Sequence, residues 1–281
     1  MRGAGGTMKA GGSMSGWKGF TAGLGALLLG AAGALAASPP DRPEWCPSAR
    51  TAASLKERAL FQSLADKARR GEKLVIVAIG SSSTEGSDLP DRTLAYPSQL
   101  QRRLDARLGE GAVQVLNKGR GGETMNETVA RFGQDVRLER PDLVIWQLGV
   151  NDVVRGADIE GSRQDVEAGM AKLGAVGAPV ILMDMQVAPR VVKSPTLGPM
   201  RALIRAAALK HDAVLWSRFD LMSGILDEGR AAMTDLVRPD ELHMTPAMHA
   251  CTAAALGDLV ASRVVSGQNS EIASSAAAPR R

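Results

Sequence analysis

An unbroken apolar run, Leu74-Val75-Ile76-Val77-Ala78-Ile79, stops at Gly80-Ser81-Ser82-Ser83-Thr84-Glu85-Gly86. A short run without polar alternation, closed by Gly and small hydroxyl residues, reads as a strand buried on both faces. Such strands belong to parallel sheets, and open α/β sheets do their chemistry at the carboxyl ends of their strands. The pattern therefore delivers a serine to that edge. Far downstream, Asp240-Glu241-Leu242-His243 offers an imidazole and a carboxylate spaced to share one side of a turn. Serine, histidine and aspartate together predict nucleophilic hydrolysis.

The remaining chain supplies the sheet. Apolar spacing predicts helices over 52–70, 96–108, 123–136, 159–176, 200–210 and 219–228, alternating with strands over 74–79, 113–116, 143–148, 180–185 and 213–216. Residues 187–199, with Pro189, Pro195 and Pro199, predict a loop. Thr245-Pro246 predicts the cap and first residue of a last helix. After Ser266 the composition turns to Ser, Ala, Gln and Asn, which predicts a disordered tail over 267–281. Alternating strands and helices imply a parallel sheet covered on both faces. There is no internal repeat, and 281 residues suffice for one large domain, read here as 45–266.

Charge argues against a polyanionic partner. The formal +4 comes from 34 basic against 30 acidic residues, and Arg2, Lys9 and Lys18 lie in the first 36 positions with no acid. Without them the balance is 31 against 30, or +1, which gives no electrostatic reason to expect nucleic acid or an anionic membrane. Aromatic residues at 3% leave no stacking face for single strands. The same three cations precede an uncharged stretch with Leu27-Leu28-Leu29 at its centre, followed by Ala34-Leu35-Ala36. That is the order of a secretory signal peptide, read as 1–36, and it predicts a periplasmic or secreted mature protein without stable membrane insertion. An uncleaved anchor is the alternative reading. Cys46 and Cys251 are an even pair, which in an oxidising compartment suggests one disulfide; two unpaired thiols are the alternative. Neither fits a zinc site.

Ester hydrolysis by serine needs a hydroxyl, a base, a group that fixes the base, and donors for the oxyanion. The predicted strand ends carry Ser82, the Gly121-Gly122 pair and Gly149-Val150-Asn151-Asp152, and the late loop carries Asp240 and His243.

At these residues the chain resembles the SGNH hydrolases, also called GDSL esterases and lipases. Gly80-Ser81-Ser82-Ser83-Thr84 is similar to the first block of that family, Asn117 to Thr124 to the second, Gly149-Val150-Asn151-Asp152 to the third and Asp240-Glu241-Leu242-His243 to the last. The resemblance implies a three-layer α/β/α sandwich with a parallel, flavodoxin-like five-stranded sheet. It implies Ser82 as nucleophile, His243 as base and Asp240 as its orienting acid. The oxyanion donors would be the N–H groups of Ser82 and Gly122 and the side-chain amide of Asn151. No metal or cofactor is implied. Ser81 and Ser83 stand where the family usually has Asp and Leu, so both are rivals for the nucleophile's register.

Plainer roles exist for most of these residues. The serine loop also fits a phosphate cradle, Gly121-Gly122 a tight turn, and Asn151 and Asp152 a helix cap. Asp152 is read as structural, Asp184 as a loop anchor, His211 as a partner of a helix C-terminus, and His249 as the rival base. Arg190 and Lys193 are read as a solvated face. The sequence reading is an exported serine esterase that removes short acyl groups, O-acetyl among them, from a small-molecule or glycan ester. A non-catalytic glycan-binding protein and an acyltransferase with the same triad are the alternatives.

Overall fold

The computed structural model describes residues 42–48, 59–87 and 89–275, with side chains described as far as 264. The expected signal peptide, the first part of the helix predicted from residue 52, and residues 276–281 lie outside the described residues.

Five strands form one sheet: β1 (Leu74–Gly80), β2 (Val113–Gly119), β3 (Leu143–Gln147), β4 (Val180–Met183) and β5 (Val214–Trp216). All pairings are parallel and the order is β2-β1-β3-β4-β5. This is the flavodoxin-like parallel sheet expected from the sequence. Its order reverses at β1, and the carboxyl ends of β1 and β3 at such a switch point are where sheets of this kind bind ligands.

Alternate side chains of β1 enter opposite cores. Val77 and Ile79 pack into one with Trp146 of β3 and with Met125, Val166, Met170 and Ile204 from helices Met125–Ala130, Ile159–Gly174 and Leu197–Lys210. Leu74, Ile76 and Ala78 pack into the other with Leu64, Leu100, Leu104 and Leu256 from helices Gln62–Arg69, Tyr96–Leu108 and Pro246–Ser275. Burial on both sides is why these strands lack polar alternation. The disulfide Cys46–Cys251 (S–S 2.07 Å) joins the segment before the first described helix to the last one.

Several boundaries differ from the sequence reading. β2 extends to Gly119, because Asn117 to Gly119 stay in register with Ala78 to Gly80. The helix expected over 123–136 divides into Met125–Ala130 and Phe132–Asp135 at Arg131. That buried side chain turns inward to Glu123, Asp135 and the Gly80 carbonyl. The proline-rich loop contains the helix Pro189–Val192, with proline at its first position, where a missing N–H costs nothing. The last helix runs to Ser275, beyond the expected end at 266, in keeping with the helix propensity of its alanines. Among the described residues no helix is long and apolar enough to cross a membrane.

Candidate active site

β1 ends at Gly80, and Ser81 leads directly into the one-turn helix Ser82–Glu85. The three serines then point different ways. Ser81 donates its N–H and hydroxyl to Gln147 Oε1 at 2.9 and 3.1 Å, and Thr84 adds a third donor to the same oxygen at 3.2 Å. Ser83 is buried and reaches Gln186 Oε1 at 3.5 Å. Ser82 alone of the three is half-buried, and its Oγ lies 3.0 Å from His243 Nε2.

His243 is presented by a small hairpin. Val237 and Met244 form an antiparallel bridge, and Arg238 N–H donates to the His243 carbonyl at 2.8 Å. Within the turn, Asp240 Oδ1 accepts the backbone N–H groups of Leu242 and His243 at 3.0 and 2.9 Å. Oδ2 faces His243 Nδ1 at 2.6 Å. Partial burial pushes the Asp240 carboxyl up, but the imidazole and the two backbone donors outweigh it and lower it to about 2. A carboxylate only accepts, so Nδ1 carries the hydrogen and the Nε2 lone pair faces Ser82.

His249, the rival base, is buried and accepts the Tyr96 N–H on Nδ1 at 3.2 Å. Burial, with help from nearby cations, lowers it to about 3, which fits a neutral core imidazole. His211 pairs through Nε2 with Glu167 at 2.8 Å. Asp184 is buried and accepts Ser217 Oγ and Phe219 N–H, which anchors the start of helix Arg218–Asp227. Arg190 is exposed, and Lys193 pairs with Glu241 at 3.5 Å.

The loop after β2 lies on the other side of Ser82. A Cβ on Gly119 would fall 2.1 Å from the Glu85 backbone nitrogen, so two backbones meet where only glycine fits. Asn117 Nδ2 donates to the Thr84 carbonyl at 2.9 Å and holds the serine helix against β2. Gly122 takes φ +79°, a left-handed conformation that favours glycine. Helix Val150–Val154 then ties this loop down at three points. Arg155, just beyond its end, donates to the Gly122 carbonyl at 2.7 Å, Asn151 Nδ2 donates to the Glu123 carbonyl at 2.8 Å, and Asp152 accepts the Met125 N–H at 3.2 Å. Burial raises the Asp152 carboxyl, and the Met125 N–H opposes that. The Asn151 amide has two hydrogens, so one remains for a ligand.

Sequence reasoning missed Gln147, Asn117, Glu85 and Gln186. Gln147 had a signal: it is the polar residue in an otherwise apolar run, Leu143 to Leu148. Glu85 follows Ser82 by three residues, a helical neighbour once the turn there is known to be helical.

A model of the Non-GDSL lipase-like family matches residues 46–266. The chain is an SGNH hydrolase of that family. This SGNH hydrolase is 31% identical to an arylesterase of Vibrio mimicus over 135 residues, 48% of this chain and 64% of the relative. It is 28% identical to an acetylxylan esterase of Geobacillus stearothermophilus over 145 residues, 47% of this chain and 65% of the relative. The match thus spans just under two thirds of the length of both relatives. An alpha/beta hydrolase enzyme from the metagenome of Lake Arreo, Spain, shares the fold with TM-score 0.58 at 21% identity, over 69% of this chain and 98% of that one.

Proposed function

We propose that this SGNH hydrolase is an exported serine esterase in which Ser82 is the nucleophile, His243 the general base and Asp240 the orienting acid. The observation that carries the reading is the hydrogen-bonded chain Ser82 Oγ, His243 Nε2 and Nδ1, Asp240 Oδ2, with links of 3.0 and 2.6 Å. Ser82 Oγ attacks the ester carbonyl carbon as its proton passes to His243 Nε2. The carbonyl oxygen becomes an oxyanion, held by the N–H groups of Ser82 and Gly122 and the free amide hydrogen of Asn151. Collapse breaks the bond to the alkoxy group, which takes the proton from His243 and leaves as the alcohol. Water then gives a proton to His243, attacks the acyl-serine and releases the acid while the proton returns to Ser82. Asp240, ionised at any pH well above about 2, keeps Nδ1 protonated and stabilises the imidazolium.

The substrate is a short acyl ester, O-acetyl included, on a carbohydrate. The acetylxylan esterase among the relatives supports this class. The signal pattern over 1–36 and a disulfide between Cys46 and Cys251 support export to the periplasm or beyond. The hydrolase domain corresponds to 45–266.

A fluorophosphonate probe tests the chemistry. The esterase is labelled at Ser82 and loses labelling in Ser82→Ala; a glycan-binding protein on the same fold takes no label. Hydrolysis of a p-nitrophenyl ester series, acetylated xylan and acetylated peptidoglycan then ranks substrates. Product formation that needs a sugar acceptor and outpaces hydrolysis would identify an acyltransferase instead.

A further inference from the structure

A fully buried cation lies beneath the loops of Ser82 and His243. Arg218 has no exposed surface, and burial lowers its guanidinium to about 10. Its hydrogen bonds go to neutral atoms: Nη2 donates to Gln186 Oε1 at 2.7 Å, and Nη1 approaches Met244 Sδ at 3.8 Å. Nε has no partner. Asp184 acts on this charge through space and opposes the lowering. Burying a cation this way is costly, and an apolar side chain of similar volume is often as stable or more so. Packing alone therefore does not account for it.

Gln186 supplies the account. It is also fully buried, three residues beyond the end of β4. Its Nε2 donates to the Leu242 carbonyl at 2.9 Å, and its Oε1 receives Arg218 and faces Ser83 Oγ at 3.5 Å. A guanidinium only donates and a peptide carbonyl only accepts, so the amide has one permitted orientation. One side chain thus touches the residue after Ser82 and the residue before His243. On the far side of His243, the Met244 sulfur rests on the same guanidinium and on Thr252 Oγ1 at 3.9 Å. Both neighbours of the imidazole residue are anchored from below, whereas Asp240 holds the ring from the rim.

We propose that Gln186, locked in orientation by Arg218, is a positioning residue that sets the His243 loop at bonding distance from the Ser82 loop. The inference rests on the serine-esterase reading above. Ground-state binding is unaffected by such a strut, but the approach of Nε2 to Oγ depends on it, and a misplacement of about 1 Å can cost about 10²-fold in rate.

Two variants of the full chain test this with p-nitrophenyl acetate. Gln186→Glu keeps volume and gives Arg218 a carboxylate, but it turns an acceptor toward the Leu242 carbonyl. The double variant Gln186→Met with Arg218→Met removes the guanidinium together with the amide oxygen that accepts from it, so no buried charge is left unpaired, and it takes the Nε2 donor away from the Leu242 carbonyl. Both should keep the wild-type circular dichroism spectrum and cooperative unfolding. Both should lose about 10- to 100-fold in kcat, with KM within about 2-fold. They should also react correspondingly slower with a fluorophosphonate. Wild-type kcat in either folded variant overturns the positioning role, as does activity lost only in step with loss of fold. Ser82→Ala is measured alongside. If it is inactive while the Gln186 variants are fully active, only the positioning inference fails. If it retains wild-type turnover, the esterase reading fails and this inference with it.

Discussion

Glu85 lies one turn after Ser82, and its Oε2 accepts the Gly121 N–H at 2.6 Å. The other carboxylate oxygen accepts from Arg92 at 3.1 Å. A side chain on the helix of the proposed nucleophile thus holds the loop whose next N–H, that of Gly122, is proposed to meet the oxyanion. Glu85→Ala should lower kcat by about 10-fold with little change in KM, since it loosens a donor without removing it. Glu85→Gln, which still accepts through Oε1, should recover most of that loss. Steady-state kinetics of the pair decides it; equal activity in both variants would detach Glu85 from the reaction.

Asn151 tests the oxyanion arrangement more directly. One amide hydrogen is engaged by the Glu123 carbonyl, and the other is proposed to meet the substrate. Asn151→Ala should cost about 10²–10³ in kcat, the usual effect of deleting one such donor. Asn151→Asp keeps the shape but presents acceptors only, so it should be at least as damaging. If instead Asn151→Ala lowers thermal stability and leaves kcat intact, the residue serves the loop and not the reaction.

The fold was legible where burial is uniform. Continuous apolar runs at 74–79, 143–148 and 180–185 had few other meanings, and all three contain parallel strands of the sheet. The candidate site residues stood out as residue types at predicted strand ends and in the late loop. What could not be read was the buried polar framework. Gln147, Gln186, Arg131 and Arg218 are residue types normally found at the surface, and apart from the apolar run around Gln147 nothing in their local sequence marks them as internal. Their partners are far along the chain: Gln147 meets Ser81, and Gln186 meets Leu242. Local periodicity carries no information about such pairs. The inward turn of Arg131, which divides a predicted helix, is a boundary error of the same origin.

Asp240 and His249 contribute to the acid response in different windows. The Asp240 carboxyl is lowered from 3.8 to about 2 in the fold. A depressed carboxyl stabilises the fold above its unfolded value, and that contribution is lost as pH falls from about 3.8 through about 2. A carboxyl carbon resonance for Asp240 should therefore titrate near pH 2, and in His243→Ala, which removes the imidazole donor, the midpoint should rise. His249 behaves likewise but begins earlier. Its folded value is about 3 against 6.5 unfolded, so the unfolded chain gains a proton first as pH falls below 6.5. Stability should then decline by up to about 1.4 kcal/mol per pH unit toward pH 3. Urea unfolding at stepped pH should show that slope in wild type, and His249→Gln should flatten it.

The disulfide acts on stability more than on catalysis. Cys46 and Cys251 are 205 residues apart in sequence, so the bridge closes most of the described chain into one loop in the unfolded state. Among the described residues no hydrogen bond joins either cysteine to Ser82, Asp240 or His243, although Cys251 sits in the same helix as His249. By chain entropy, removal of a cross-link this long costs about 5 kcal/mol. Cys46→Ser with Cys251→Ser should accordingly lower the denaturant midpoint while kcat at 25 °C stays near wild type. The same double variant separates two causes of instability under reducing agent. Wild type treated with dithiothreitol should fall to the variant's midpoint, and the variant itself should not respond. A variant as stable as wild type would mean that the bridge does not form in solution.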